Sequence, residues 1–187
     1  AGYDMIGIDN SFDMLDMALE REDDRILYLM QDMREFEPGE KVSAVVSACD
    51  SINYILEPED LQAVFFCVSE SLKEGGIFIF DINTPYKYEV LMADNTIAEN
   101  RDEGSFIWDN YYDEESSNNE YELAVFVRNE DGTFDRFEEE HYQHGFTLEE
   151  VSDAVKKAGL KIRNVYDAFS HNAPDDNSER LYYIIEK

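Results

Sequence analysis

The chain of 187 residues is poor in positive charge. Its 15 lysine and arginine residues stand against 44 aspartate and glutamate residues, which gives a formal net charge of −29. A surface that negative repels nucleic-acid phosphates and anionic lipid headgroups. We therefore expect no nucleic acid and no membrane as a direct partner.

Cysteine and long apolar runs are scarce as well. Cys49 and Cys67 lie in separate apolar stretches without the spacing of metal ligands, so we expect small core residues of a reduced protein. No apolar stretch approaches the roughly 20 residues of a membrane span, and the printed sequence shows no basic-then-apolar leader. Residues 109–115 are acidic but lack the central glycine of a calcium loop. These features predict a cytoplasmic protein without a metal site.

The sequence does contain short apolar runs that end in a carboxylate. Residues 5–8 lead to Asp9 and then to a helical pattern with Ser11 as N-cap, and residues 25–33 form a second such run around Asp32. Ligands of open α/β sheets bind at the carboxyl ends of strands. The two acids therefore suit an adenosine, with Asp9 on the ribose hydroxyls and Asp32 on the adenine amine. The alternative is that Asp9 only caps a turn.

The rest of the pattern predicts an α/β protein with a doubly wound, mostly parallel sheet. Residues 42–48 and 77–83 are typical of buried strands, and between them a helix begins at residues 57–60 and stops at Gly75 and Gly76. Helical spacing returns after Thr147, which forms a capping box with Glu150. Two last strands, 161–169 and 180–186, are predicted to form an antiparallel pair.

An aromatic-rich middle section interrupts this order. Residues 105–113, 120–129 and 133–146 partly alternate in polarity, and residues 129–132 give a good hairpin signal. We expect a small antiparallel β insertion that stands on the sheet. The predicted division is 1–104 and 147–187 for the core and 105–146 for the insertion.

Several motifs together resemble class I S-adenosylmethionine-dependent methyltransferases. Residues 2–9 with Ser11 look like the second-strand motif of that family, residues 31–33 like its third-strand tip, and residues 72–81 like its turn into the fifth strand. Residues 49–54 and 81–86 look more specifically like a bacterial subgroup of small-molecule type. The resemblance implies a Rossmann-like fold, S-adenosylmethionine as cofactor, and methyl transfer to a small-molecule acceptor.

The family's first strand and its glycine-rich loop have no counterpart in this sequence. The printed chain begins at Ala1 without an initiator methionine, just where that unit would have ended. We therefore expect a further amino-terminal segment of roughly 40 to 60 residues, the size of half a βαβ unit with a lead-in helix.

The resemblance also assigns roles to individual residues. The expected cofactor-binding residues are Asp9, Asn10, Asp32, Met33, Cys49 and Asp50. The expected substrate-facing residues are Asn53, Tyr54, Tyr111 and His141. The candidate catalytic bases are His141, Tyr111 and Tyr54, with His144 and Tyr142 also considered; for each of them the alternative is a packing or surface role.

Two other functions remain open at this stage. A nicotinamide-dependent oxidoreductase also places an acid at the tip of its second strand. A catalytically silent relative of the same fold would bind cofactor or a protein partner without turnover. If the protein is a methyltransferase, its aromatic residues and acids favour a cationic amine as acceptor.

Overall fold

The computed structural model describes residues 2–21 and 23–187. In chain order the helices and strands are β1 (Met5–Asp9), α1 (Phe12–Leu19), β2 (Ile26–Met30), β3 (Val42–Ser47), α2 (Pro58–Ser71), β4 (Leu72–Asn83), β5 (Thr96–Asn100), β6 (Gly104–Asp113), β7 (Asn118–Arg128), β8 (Phe134–His144), α3 (Leu148–Lys157), β9 (Lys161–Asp167) and β10 (Arg180–Glu186). A 3₁₀ turn, Ser51–Tyr54, follows β3, and a π-helical turn, Lys87–Met92, follows β4.

The strands form an α/β fold with parallel and antiparallel pairs. β1 and β2 are parallel, and a separate sheet has the order β3-β4-β10-β9, in which only β3 and β4 are parallel. The antiparallel β9–β10 pair was predicted. The prediction of a mostly parallel sheet was wrong in detail, because β10 pairs antiparallel with β4 as well as with β9.

Local capping signals determine the first residues of α1 and α3, as predicted. Ser11 Oγ accepts the backbone N–H of Met14 at the start of α1. Thr147 and Glu150 form the capping box of α3. α2 ends at Ser71 rather than at Gly75, because the residues from Leu72 onwards already belong to β4.

The core lies between β3, β4, β10 and the helices α2 and α3. Phe65 of α2 packs edge-on against Phe80 of β4, with ring centroids 5.4 Å apart, and Phe80 stacks on Tyr183 of β10 at 4.7 Å. Met33 and Phe36, which follow β2, also pack against this cluster. Through these two residues the loop after β2 connects the β1–β2 pair to the core cluster, which includes side chains of α2.

The insertion is a four-stranded antiparallel sheet of order β5-β6-β7-β8. The sequence predicted three strands and a boundary at residue 105, but β5 lies before that boundary. β5 escaped prediction because its residues are all exposed and give no alternating apolar pattern. Gly132, at φ 86°, closes the β7–β8 hairpin.

Within the described residues, no helix combines the length and apolarity that crossing a bilayer requires.

Candidate functional site

The two predicted acids lie at one edge of the β1–β2 pair. Asp9 ends β1 in register with Met30, and its carbonyl accepts the backbone N–H of Gln31 at 3.0 Å. Asp32 follows Met30 by two residues. The parallel pairing therefore brings both acids to the carboxyl ends of neighbouring strands.

The two carboxylates have different surroundings. Asp9 Oδ1 accepts the backbone N–H of Ser11 at 2.8 Å. Asp32 is held by Arg34, whose backbone N–H and Nε donate to Oδ1 at 2.8 and 2.9 Å and whose Nη2 donates to Oδ2 at 2.7 Å. These bonds lower the pKa of Asp32 and keep it ionised. Because a carboxylate has about four acceptor positions, Asp32 Oδ2 retains one for a further donor.

The loop after β3 has an unusual backbone. Cys49 and Asp50 have φ values of 62° and 51°, in the left-handed region that residues other than glycine rarely adopt. Such strain persists only where the surroundings enforce it, and it clusters at functional sites. Cys49 is exposed, so the prediction of a core cysteine is wrong there, because this residue lies in the loop after β3, a strand whose own residues are at most partly buried. Cys67 of α2 is partly buried, and its thiol contacts the carbonyl of Arg34 at 3.2 Å.

A network around Asp50 enforces this backbone. Arg180 Nη2 donates to Asp50 Oδ1 at 2.6 Å and Arg180 Nη1 to Asp81 Oδ2 at 2.7 Å. Gln143 Nε2, from β8, donates to Asp50 Oδ2 at 3.0 Å, and the Asp50 backbone N–H donates to Asp81 Oδ2 at 3.1 Å. The loop after β3, the core strands β4 and β10, and the insertion thus meet at one residue.

Asn53 fixes the other end of the same loop. It is fully buried, its two amide protons go to the backbone carbonyls of Asn83 and His144 at 3.0 and 2.8 Å, and its Oδ1 accepts the Asn83 N–H at 2.9 Å. With both donors used on the backbone, Asn53 positions the loop instead of facing a substrate as predicted.

Tyr54 joins a chain of polar groups that runs into the insertion. Its hydroxyl lies 3.1 Å from the hydroxyl of Tyr121 and 2.9 Å from His141 Nδ1, while His141 Nε2 lies 3.0 Å from the Glu139 carboxylate. An ionised carboxylate only accepts, so the proton of a neutral His141 lies on Nε2. Nδ1 therefore accepts from Tyr54, and the Tyr54 oxygen accepts from Tyr121.

Aromatic rings flank this chain. Tyr121 stacks on His141 with centroids 4.5 Å apart and on Trp108 at 4.2 Å. Burial raises the pKa of both Tyr54 and Tyr121, so both hydroxyls stay protonated near neutral pH. His141 and Tyr54, predicted from the sequence, are thus brought together by the fold.

The other predicted aromatic and histidine residues lie elsewhere. Tyr111 is half exposed and follows the buried Asn110, so strand alternation directs it to the face of β6 away from Tyr121, which pairs with Asn110. Tyr142 bonds Glu120. His144 is buried against Phe146.

A cavity of about 520 Å³ opens beside the Asp50 network. Lys87 and Arg180 line it together with Asp167, Phe169 and Glu179, near the ends of β4, β9 and the start of β10. Four residues around this cavity and the Asp50 network were not predicted from the sequence to be site residues: Arg180, Asp81, Gln143 and Lys87. Asp81 alone carried a usable signal, since it lies near the end of a predicted strand.

Known proteins show what this chain and its fold resemble, although no family model matches the sequence. The chain is 33% identical over 189 residues to a Bacillus subtilis (strain 168) protein named "Putative methyltransferase YqeM", covering 100% of this chain and 76% of that protein. The crystal structure of an S-adenosylmethionine-dependent methyltransferase from Clostridium acetobutylicum ATCC 824 superposes with a TM-score of 0.91 at 29% identity over 97% of this chain and 74% of that chain. The chain belongs to the S-adenosylmethionine-dependent methyltransferases.

A third relative matches part of this methyltransferase. The dTDP-3-amino-3,4,6-trideoxy-alpha-D-glucopyranose N,N-dimethyltransferase of Streptomyces venezuelae is 35% identical over 95 residues, which are 51% of this chain and 38% of that protein. The resemblance to the family inferred from the sequence motifs is confirmed, and S-adenosylmethionine is the cofactor of this methyltransferase.

Proposed function

We propose that this methyltransferase transfers a methyl group from S-adenosylmethionine to the amine nitrogen of a small molecule. The observation that carries the proposal is the Tyr54–His141 pair, in which the basic Nδ1 atom of His141 lies 2.9 Å from the Tyr54 hydroxyl. An aliphatic amine is protonated near neutral pH and must lose its proton before its lone pair can attack. A hydrogen-bonded histidine suits that task.

The surroundings of this pair favour a cation. Tyr121 is sandwiched between His141 and Trp108, so among the described residues Trp108 is the ring of this stack with one face left unstacked, and aromatic faces attract ammonium groups. The net charge of −29 attracts cations to the molecule as a whole. The Streptomyces relative, whose name describes N-methylation of an amino sugar, supports an amine acceptor.

The residues present fit the cofactor. Asp9 carries a carboxylate at a strand end, and among the described residues the Ser11 amide is its one recorded donor, which leaves Oδ2 for ribose hydroxyls. Asp32 retains one acceptor position for the adenine amine. We assign Asn10, Met33, Cys49 and Asp50 to the same cofactor-binding edge. Bound there, S-adenosylmethionine supplies an electrophilic methyl group on a sulfonium.

The chain's own residues then have separate tasks. His141 takes the acceptor's proton through the Tyr54 hydroxyl, and Glu139 holds the imidazole in the required tautomer. Arg180 and Gln143 hold Asp50, and with it the strained loop, in place. We assign the insertion the task of a lid that supplies dry, aligned surroundings, which in-line methyl transfer chiefly needs.

We also propose that a strand and a glycine-rich loop outside residues 1–187 complete a doubly wound sheet between β1 and β3. Support comes from apolar side chains that the described residues leave exposed. α1 buries none of its residues, and its exposed side chains include Phe12 and Met17, while Val46 of β3 is 62% exposed. Such apolar surface normally packs against another element.

A cytoplasmic location of the protein, expected from its sequence, also stays a prediction.

Methylation assays with the complete protein test the acceptor class. Panels of amines, alcohols and carboxylic acids should show turnover with amines, and His141→Gln should lower kcat for amines by about 100-fold, as loss of a general base does. His171→Gln, at an exposed position, is the matched control. Turnover of alcohols or acids alone would contradict the amine assignment.

Ligand-dependent thermal stability separates this function from the alternatives. S-adenosylmethionine at 100 times its dissociation constant should stabilise the protein by about 2.7 kcal/mol, whereas NAD should have no effect. Cofactor binding without turnover on any acceptor would instead identify a catalytically silent relative.

A further inference from the structure

The 520 Å³ cavity beside Arg180 has a feature that the proposed methyl transfer leaves unexplained. Lys87, which lines it, is half-buried, and burial lowers its pKa. Its Nζ donates to Asn83 Oδ1 at 2.9 Å, and no carboxylate among the described residues forms a salt bridge with it. In a chain with 44 acids, a half-buried ammonium paired only with a neutral amide is unexpected.

Some N–H donors on the wall of this cavity have no partner among residues 2–21 and 23–187. An ammonium has three N–H donors, of which Lys87 spends one on Asn83. A guanidinium has five, of which Arg180 spends three on Asp50, Asp81 and Asn83. Arg180 forms salt bridges with two carboxylates, whereas Asp50, Asp81 and Glu179 attract the Lys87 ammonium only from beyond salt-bridge distance.

Two acids share the lining, and they limit what the cavity can hold. The side chain of Glu179 belongs to an exposed residue, where solvent screens its charge, and Asp167 is partly buried at the end of β9. They disfavour a loosely attracted anion. A single anionic group must therefore contact Lys87 directly, through charge-assisted hydrogen bonds.

Phe169 marks the same cavity with an exposed aromatic ring. It is 88% exposed and has a φ of 59°, a strained conformation for a bulky residue. Its ring contacts Tyr182 edge-on at 5.8 Å and otherwise offers an open apolar face at the cavity. A ligand held at Lys87 can cover this face with an apolar or ring portion.

We propose that this cavity binds an anionic group, a carboxylate or a phosphate, carried by the amine acceptor itself. The inference rests on the proposed function and deepens it: the acceptor is an amine that also bears a negative group, which Lys87 holds while Phe169 covers the adjoining apolar part. The Asp50 network links the cavity to the loop that carries Tyr54, because Arg180 both lines the cavity and binds Asp50.

Anion titration tests the site without any turnover. Pyrophosphate and succinate are titrated by calorimetry into the complete protein, its Lys87→Met and Lys87→Arg variants, and a Lys73→Met control at an exposed lysine of β4. At least one anion should bind to wild type and control, tenfold or more weakly to Lys87→Met, and near wild-type strength to Lys87→Arg. Binding of pyrophosphate alone identifies a phosphate group on the acceptor, and binding of succinate alone a carboxylate.

Several results would overturn the proposal. The proposal is wrong if neither anion binds to the wild-type protein. It is also wrong if Lys87→Met binds the anions as tightly as wild type does while both Lys87 variants keep the wild-type thermal midpoint. In assays with an active amine, an anion that binds at Lys87 but leaves the acceptor KM unchanged would remove the site from acceptor binding. Failure of methyl transfer with every amine, with Lys87-dependent anion binding intact, would instead reject the proposed function alone.

Discussion

Asn53 determines where the loop after β3 lies. Replacing it with alanine leaves the Asn83 amide and the Asn83 and His144 carbonyls without their partner in a fully buried place. Each buried polar group left without a hydrogen bond destabilises the folded protein by about 1–3 kcal/mol. We therefore expect Asn53→Ala to lower the unfolding free energy, measured in urea titrations, by roughly 2–5 kcal/mol. Asn164→Ala, at an exposed position of β9, should change it by less than about 0.5 kcal/mol. If Asn53→Ala changes the unfolding free energy as little as Asn164→Ala does, other contacts hold the loop in place.

His144 gives the protein a dependence on pH that can be assigned to one side chain. Burial lowers its pKa from the usual 6.5, and the carboxylate of Glu150, 3.8 Å from Nε2, is too distant for a hydrogen bond that would restore it. The unfolded chain therefore binds a proton more readily than the folded one, and stability falls as pH drops below about 6.5. The loss is complete once pH lies below the folded pKa.

The measurement is the unfolding free energy at pH 7.5 and pH 5.5. Wild type should lose more stability between these two pH values than His144→Gln does, because glutamine does not titrate. If both proteins lose the same amount, the buried histidine does not carry the dependence.

The sequence predicts individual residues well only where the signal is local. Asp9 and Ser11 could be placed because strand, acid and helix N-cap follow one another directly. The bond between Arg180 and Asp50 joins positions 130 residues apart, and no local pattern indicates it. Tyr111 was favoured as much as His141 because alternation shows that two faces exist without showing which face meets the core.

Among the elements, α3 has the clearest local stabilisation. Thr147 Oγ1 accepts the Glu150 N–H at 3.2 Å, and the Glu150 carboxylate accepts the Thr147 N–H at 2.8 Å. Thr147→Ala should lower the unfolding free energy by about 1 kcal/mol, the usual effect of losing an N-cap. Ser152→Ala, exposed inside the same helix, should be neutral or slightly stabilising, because alanine is the better helix former. If Thr147→Ala leaves the unfolding free energy unchanged, packing of α3 against the core, and not the N-cap, determines where the helix begins.

Elements with apolar periodicity were predicted, and those without it were missed. The helices α2 and α3 carry such periodicity, and β3 and β4 were predicted from continuous apolar runs, although β3 has no buried residue among those described. β5 has none, because it pairs with β6 through its backbone while all its side chains stay exposed. The β6–β8 strands were found, since aromatic residues and the 129–132 turn mark them.

In the molecule as a whole, the candidate site residues lie at the carboxyl ends of the two parallel strand pairs and in the insertion. Asp9 and Asp32 lie at the ends of β1 and β2, the strained loop follows β3, and the insertion contributes His141 and also Gln143, which binds Asp50. The membership in the S-adenosylmethionine-dependent methyltransferases was predictable, because the motifs follow one another in order. The acceptor was not, because the residues that we propose to contact it lie in the insertion and in β10, whose register the sequence does not reveal.

The central claim is that Asp9 grips the cofactor at the end of β1. The most direct measurement is calorimetric titration of S-adenosylmethionine into the complete protein, its Asp9→Ala variant, and Asp13→Ala as a neighbouring control in the first turn of α1. Losing charge-assisted hydrogen bonds of about 1.5–3 kcal/mol should weaken binding tenfold or more in Asp9→Ala and leave Asp13→Ala near wild type. Equal affinity of wild type and Asp9→Ala would contradict the account.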